Sequence, residues 1–388
     1  MKRLAQIAML VVAALFVSCG NKEILRHTEP IYTPRYAKGF AIERDKESGE
    51  RLLCVINPWQ GAKEVKFYTS LDKLAPAKRI VAMSSSYVAM LDAIGCTERI
   101  VGISGCHFIS TPSAIINIEA GRIAEVGYDS TFDFERIKSL NTDVVLLYGV
   151  AGEAKILTNK LDELGIPYLY IGDYLENDPL GKAEWVVALA YLCGVEEQGK
   201  ALFEEVEARY NTLRNQKHCS AYRPRVMLNL PYRDTWFMPP AGSYMVRLIE
   251  DAGGEYILTE NGKRKTENGK RKTKNEKRKA ENGESSSTTS TPISLEEALV
   301  LASRADFWLN LGQIASKEEL CAVAPRFANV DAVKFHRIYN NTKRTNASRG
   351  SDFWESGAVR PDLILGDLIK ILHYEAPTDS LYYYTQLK

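Results

Sequence analysis

The groups this sequence concentrates at chemically useful positions are aromatic rings and hydroxyls, with a few arginines. Ser84-Ser85-Ser86-Tyr87, Ser104-Gly105-Cys106-His107-Phe108, Tyr128, Tyr148-Gly149, Tyr232, Trp236-Phe237-Met238 and Phe353-Trp354 each stand just after an apolar run. From these, Ser85, Tyr87, His107, Tyr128, Tyr148, Trp236, Phe237 and Trp354 are taken as site residues, together with an arginine in a polar loop, Arg349. Flat aromatic walls with scattered hydroxyls suit a large, partly planar or amphipathic ligand better than a sugar or an amino acid. Arginine adds a planar fork for anionic groups. For any one ring, core packing remains the plain alternative. Nucleophilic catalysis is poorly served: no G-x-S-x-G elbow is present, and Ser85 with His107 only imitates a dyad. The histidines His27, His107, His218, His336 and His373 are scattered without zinc-ligand spacing, so no directly bound metal and no intrinsic cofactor are expected.

Those positions matter only if the preceding runs are strands whose ends converge. Arg79–Met83, Ile100–Ser104, Asp143–Tyr148 and Pro167–Ile171 read as strands alternating with helical stretches at Tyr87–Ile94, Phe134–Leu140 and Ala154–Leu164. The alternation resumes with Arg225–Leu230, Tyr244–Ala252, Leu295–Leu301, Asp306–Leu311 and Pro361–Leu372. Strands alternating with helices predict parallel sheets covered on both faces, with ligands beyond the carboxyl ends of the strands. Between the halves, Leu202, Val206, Tyr210 and Leu213 recur at the helical period, predicting one long helix. The fold class is therefore α/β: two doubly wound α/β lobes joined by a single long helix, preceded by a small β-hairpin appendage.

The domain reading assigns 1–18 to a signal peptide, 19–30 to a tether, 31–70 to the hairpin and 78–194 to the first lobe. Residues 195–217 form the linking helix and 222–388 the second lobe. Met1-Lys2-Arg3, the apolar run Ile7–Val17 and Ser18-Cys19 have the order of a secretory signal, and the run is short for a membrane span. Ser18-Cys19 resembles a bacterial lipobox, which makes Cys19 the lipidation site. The net charge of +1 across 388 residues argues against nucleic acid as a partner. Residues 259–292 carry the repeat Glu260–Thr266 and Glu267–Thr273, then a Ser/Thr run, with no apolar residues for a core, and are expected to be a disordered insert. The seven cysteines lack C-x-x-C spacing, and no disulfide pairing is predicted.

The two halves also echo each other. Phe132-Asp133-Phe134-Glu135 precedes Asp143–Leu147, and Ile293-Ser294-Leu295-Glu296 precedes Asp306–Leu309. In both, Asp or Ser can cap a short helix whose first turn holds a glutamate. These segments, with Arg79–Ser84, Val101–Ser104, Val126-Gly127, Leu164–Pro167, Gly242-Ser243-Tyr244, Ala252–Gly254, Phe353–Ser356 and Arg360–Asp362, resemble the periplasmic substrate-binding proteins of ABC importers for ferric siderophores, haem and cobalamin. The resemblance covers about residues 78–375. It departs at Asn141-Thr142-Asp143, where the family usually has Lys-Pro-Asp, and has no counterpart for the hairpin or the insert.

The resemblance implies a monomeric, non-enzymatic lipoprotein on a bacterial membrane, most simply facing the periplasm. It would bind an iron chelate, haem or cobalamin and deliver it to an ABC permease dimer with its ATPase. It places Tyr128, Tyr148, Phe237 and Trp354 among the cleft aromatics, makes His107 an axial haem-ligand option, and makes Glu135 and Glu296 the permease-docking carboxylates. The alternatives are a secreted α/β hydrolase and a haem-capturing or sensory lipoprotein without a transporter.

Overall fold

The computed structural model describes residues 27–128, 131–149, 153–216, 222–257, 290–374 and 378–388. The segment expected to be a signal peptide, Cys19, Cys219 and most of the basic insert lie outside them.

The chain begins with β1 (Thr28–Tyr32), β2 (Phe40–Asp45), β3 (Arg51–Ile56) and β4 (Lys66–Ser70), an antiparallel meander in sequential order. The expected hairpin is its central pair, β2 and β3; the structure corrects the appendage to four strands, the first of which starts at Thr28, within the segment read as a tether. The meander is also part of the core. Phe40, Ile42, Leu53 and Val55 are buried, and Phe40 packs on Trp185 with ring centroids 4.8 Å apart.

Two five-stranded sheets follow. The first has β5 (Ile80–Ala82), β6 (Ile100–Ile103), β7 (Ala124–Glu125), β8 (Val144–Leu147) and β9 (Tyr168–Tyr170), all parallel, in the order β7-β6-β5-β8-β9. The second runs β12-β10-β14-β15-β16, with β10 (Arg225–Leu228), β12 (Glu255–Tyr256), β14 (Phe307–Leu309) and β15 (Ile338–Asn340) parallel and β16 (Thr385–Gln386) antiparallel. Both halves start at an inner strand, go out one side, return, and finish on the other side. Their central strands are buried apolar residues, as strands covered on both faces must be. A ribbon of β11 (Thr235–Met238) and β13 (Thr291–Ser294) extends the second half. Thr291 and Pro292, assigned to the disordered insert from sequence, are strand residues paired to Met238 and Phe237.

Between the sheets the chain runs through two helices, Pro179–Cys193 and Glu196–Arg214. The second matches the periodic stretch, with Phe203, Val206 and Tyr210 buried. The first is absent from the periodicity reading for a physical reason: nearly every residue in it is buried, so no polar face marks the helical period. Asp178 caps it, accepting from Leu180 N at 2.9 Å.

Within that apolar helix Glu184 is fully buried. Its carboxylate accepts from the Tyr32 hydroxyl at 2.7 Å and from the backbone N–H groups of Arg35, Tyr36 and Ala37, each at 2.8 Å. This ties the β1–β2 loop to the helix. Replacing Glu184 with Ala strands those donors, so Glu184→Ala is expected to lower unfolding free energy in urea by about 3 kcal/mol.

Candidate functional site

Site geometry follows from the strand ends. After β6 the chain turns at Gly105 into Cys106-His107-Phe108, and Glu125 orders this turn by accepting from Gly105 N at 3.0 Å and Cys106 N at 2.6 Å. Burial, with Glu125 alongside, pushes the Cys106 thiol up to about 12. Phe108 lies 3.9 Å from the His107 ring and 5.4 Å from Tyr128, centroid to centroid, while Tyr128 stays 53% exposed. His107, Phe108 and Tyr128 thus form one aromatic cluster at the end of β6 and β7.

The segment after β15 closes on this cluster. Asn346 Nδ2 donates to the carbonyls of His107 at 3.1 Å and Ile109 at 2.9 Å. The Asn346 Oδ1 accepts from Ser348 and Gly350, shaping the loop that carries Arg349. A Cβ on Gly350 would fall 1.8 Å from the Phe108 carbonyl oxygen, so only glycine permits this approach. Glu355, fully buried, accepts from Ser110 N at 2.8 Å, Thr111 N at 2.7 Å and the Thr111 hydroxyl. A carboxylate from the second half therefore satisfies the start of Pro112–Glu119, a helix of the first half.

Not every expected residue reaches this place. Tyr87 is fully buried and donates to the carbonyls of Leu147 and Ile171, which corrects its assignment from ligand contact to core. Trp236 is likewise core, packed tilted on Trp308 and edge-on to Phe327 and donating to the Leu228 carbonyl at 3.0 Å. Tyr87 falls in the helix Ser85–Ala93 and Trp236 in β11, and each side chain points inward. Phe237 next to it is 45% exposed, Trp354 is 51% exposed, Ser85 and Tyr148 are half-buried, and Arg349 and His107 are exposed. Arg360 is occupied structurally, held to Asp362 at 2.9 and 2.8 Å. Among the described residues no hydrogen bond joins Ser85 to His107, and no cluster of His, Cys, Asp and Glu fits a metal ion. The described cysteines Cys54, Cys96, Cys106, Cys193 and Cys321 are free.

The sequence profile described as Periplasmic binding protein matches residues 80–345. The chain belongs to that family. Its members are substrate-binding proteins and not enzymes, which removes the hydrolase alternative. An uncharacterized lipoprotein of Methanocaldococcus jannaschii is 27% identical over 312 residues, spanning 78% of this chain and 66% of the relative, just under two thirds of its length. Among solved structures, a possible iron-binding (periplasmic solute-binding) protein of Staphylococcus epidermidis is similar with a TM-score of 0.56 and 15% identity. That match covers 76% of this chain and 98% of the other. A periplasmic heme binding protein of Pseudomonas aeruginosa gives 0.55 and 15%, covering 80% and 98%. At these identities the structures establish a shared fold.

On the outer surface the paired glutamates occupy matching places. Glu135 is exposed in the first turn of Phe134–Ser139, capped by Asp133, and Glu296 is exposed in the first turn of Leu295–Ala302, capped by Ser294. They differ in one respect. Arg326 pairs with Glu296 at 2.9 Å; the N–H at its own helix start, then Arg326, hold that carboxyl below its usual range.

The Glu355 contact carries a pH signature. Burial lifts its carboxyl from 4.5 to about 7, overcoming the Ser110 and Thr111 donors that pull it down. The folded chain keeps this proton to about pH 7, whereas the unfolded chain releases it near 4.5. Its stabilising contribution is therefore complete at low pH and is lost as pH rises through about 7. Between about pH 5 and about pH 8 this one group removes on the order of 3 kcal/mol. Melting curves of Glu355→Gln should show a smaller fall across that interval than those of the wild type.

Proposed function

We propose that this protein is the solute-binding component of an ABC importer, held to a membrane by a lipid at Cys19 and capturing a metal chelate: a ferric siderophore, haem or cobalamin. The observation that carries the reading is the meeting of two aromatic, loop-built surfaces at the carboxyl ends of two parallel sheets. His107, Phe108 and Tyr128 come from the first half, and the Asn346–Glu355 segment with Arg349 and Trp354 from the second. Exposed rings of this kind offer the broad apolar faces that a large, partly planar chelate needs, and Arg349 supplies a cation for its acidic groups. The relatives agree in kind: a lipoprotein by sequence, iron- and heme-binding proteins by fold. Among the described residues no helix is long and apolar enough to cross a membrane; the attachment proposed here is the lipid at Cys19.

Glu135 and Glu296 are the docking carboxylates of this reading, meeting arginines on the two permease subunits. Arg326 holds Glu296 in place until a permease arginine exchanges for it. Charge pairs at a rim steer and register a partner without contributing to ligand affinity. Reversing both, Glu135→Lys with Glu296→Lys, is expected to abolish uptake in cells while leaving the ligand Kd unchanged. Uptake at the normal rate, with normal protein levels, would refute this docking role.

The cargo itself is found by titrating tryptophan fluorescence with haemin, cyanocobalamin and a panel of ferric siderophores. Saturable quenching by one compound, weakened about tenfold by Tyr128→Ala or Trp354→Ala, is the expected outcome.

A further inference from the structure

The helix Pro179–Cys193 ends on a cysteine, and Gly194, at φ 67°, turns the chain at once into the linking helix Glu196–Arg214. Whatever fixes this turn fixes the root of the connection between the halves. Backbone contacts already hold it to the first sheet. Ala77 N, shortly before β5, donates to the Leu192 carbonyl at 3.0 Å. Arg99 Nη1 donates to the carbonyls of Cys193 at 2.6 Å and Ala77 at 3.1 Å. Arg99 belongs to the same short turn as Cys96, whose carbonyl accepts from Arg99 N at 3.0 Å.

The two cysteines meet across this junction. The Cys193 thiol donates to the Cys96 sulfur, and the Cys96 thiol donates to the Ile94 carbonyl at 3.7 Å. Among the described cysteines this is the pair whose sulfurs are in contact. Cys54 lies beside Tyr68, Cys106 donates to the Ile103 carbonyl at 3.8 Å, and Cys321 sits on the helix Lys317–Val323 of the second half. Cys96 and Cys193 are both buried. While the junction is still open to solvent during folding, an oxidant can reach the sulfurs; once the core closes, burial shields a bond between them from reductant.

We propose that Cys96 and Cys193 are a disulfide-forming pair, closed during folding by exchange with a low-molecular-weight disulfide, and that the bond staples the root of the linking helix to the first lobe. The proposal rests on the export part of the functional reading, because disulfides form and persist outside a reducing cytoplasm. Each thiol gives up one proton and one electron, and the small disulfide that accepts them is reduced to two thiols. The Cys96 thiolate attacks the small disulfide and releases one thiol; the Cys193 thiolate then displaces the other and completes the bond. Cys96 is suited to attack first. The hydrogen bond from Cys193, with the Arg99 guanidinium nearby, holds its thiol below the usual range, while that same contact and burial raise Cys193. The bond closes a loop of about 100 residues and so removes conformational freedom from the unfolded chain.

The test refolds the full chain, first reduced in denaturant, in a mixture of reduced and oxidised glutathione. Samples are quenched in acid, alkylated without reductant and digested with trypsin. The peptides Ile80–Arg99 and Ala183–Lys200 each carry a single cysteine, so their linkage is read directly by mass. One linked species is expected, lighter than the two peptides together by the hydrogens lost, with Cys54, Cys106 and Cys321 alkylated. Reducing the refolded chain is expected to lower Tm by about 5 to 10 °C, and Cys96→Ala with Cys193→Ala to lose that response. The peptide map uses the wild type, so it decides even where the double variant does not fold. Alkylation of both Cys96 and Cys193 after refolding, or linkage of either to another cysteine, overturns the proposal. A linked peptide that forms on refolding but is missing from chain quenched directly from the membranes of cells making it overturns the export reading and leaves the pair standing.

Discussion

Glu184 lies buried on an otherwise apolar helix, and its charge is tolerable there because a phenol and three backbone N–H groups point at it. The same device recurs wherever an irregular segment must be fixed. Glu176 gathers the N–H groups of Lys38 and Gly39, Glu355 those of Ser110 and Thr111, and Asp367 those of Tyr382, Tyr383 and Tyr384. Loops have no ladder to satisfy their backbone donors, yet donors buried in a core must be satisfied. A carboxylate on a rigid helix or turn does this for several at once. Burial raises Glu176, Glu355 and Asp367 above their ordinary range, which records the desolvation cost of each arrangement.

The sheets set the remaining constraint. A parallel sheet must be covered on both faces by its crossover helices, so only the strand ends remain for loops that recognise something. Both halves start at an inner strand and finish at the far edge, though in different strand orders, and each presents a capped short helix with an exposed glutamate in its first turn, Glu135 and Glu296. The loops break the symmetry. In the first half they supply His107, Phe108 and Tyr128; in the second, a longer segment whose Asn346 and Glu355 reach across to the first. The meander adds a further asymmetry by seating Trp59 on the end of β8.

Much of this was legible from residue order. The central strands, the caps at Asp133 and Ser294, and the long helix at Glu196–Arg214 all carry local signatures: apolar runs, capping residues, a 3.6-residue stripe. The helix Pro179–Cys193 was not legible, because a segment buried all round shows no stripe. The short strands β7, β12 and β16, two residues each, offer too little pattern to read. The expected site was legible only as a set of positions along the chain, since residue order does not specify which way a ring faces. Tyr87 and Trp236 turned inward, while Phe237 and Trp354 stayed exposed.

By itself, then, the sequence determined the α/β alternation, the paired helix starts and the family resemblance, because these rest on interactions between near neighbours along the chain. Only tertiary structure decided that Glu355 caps a helix 244 residues away, that Glu184 holds a loop 147 residues distant, and that Trp59 lies on Gly149. Such contacts depend on which surfaces pack together, and a buried carboxylate carries no mark in sequence of the remote donors that will satisfy it.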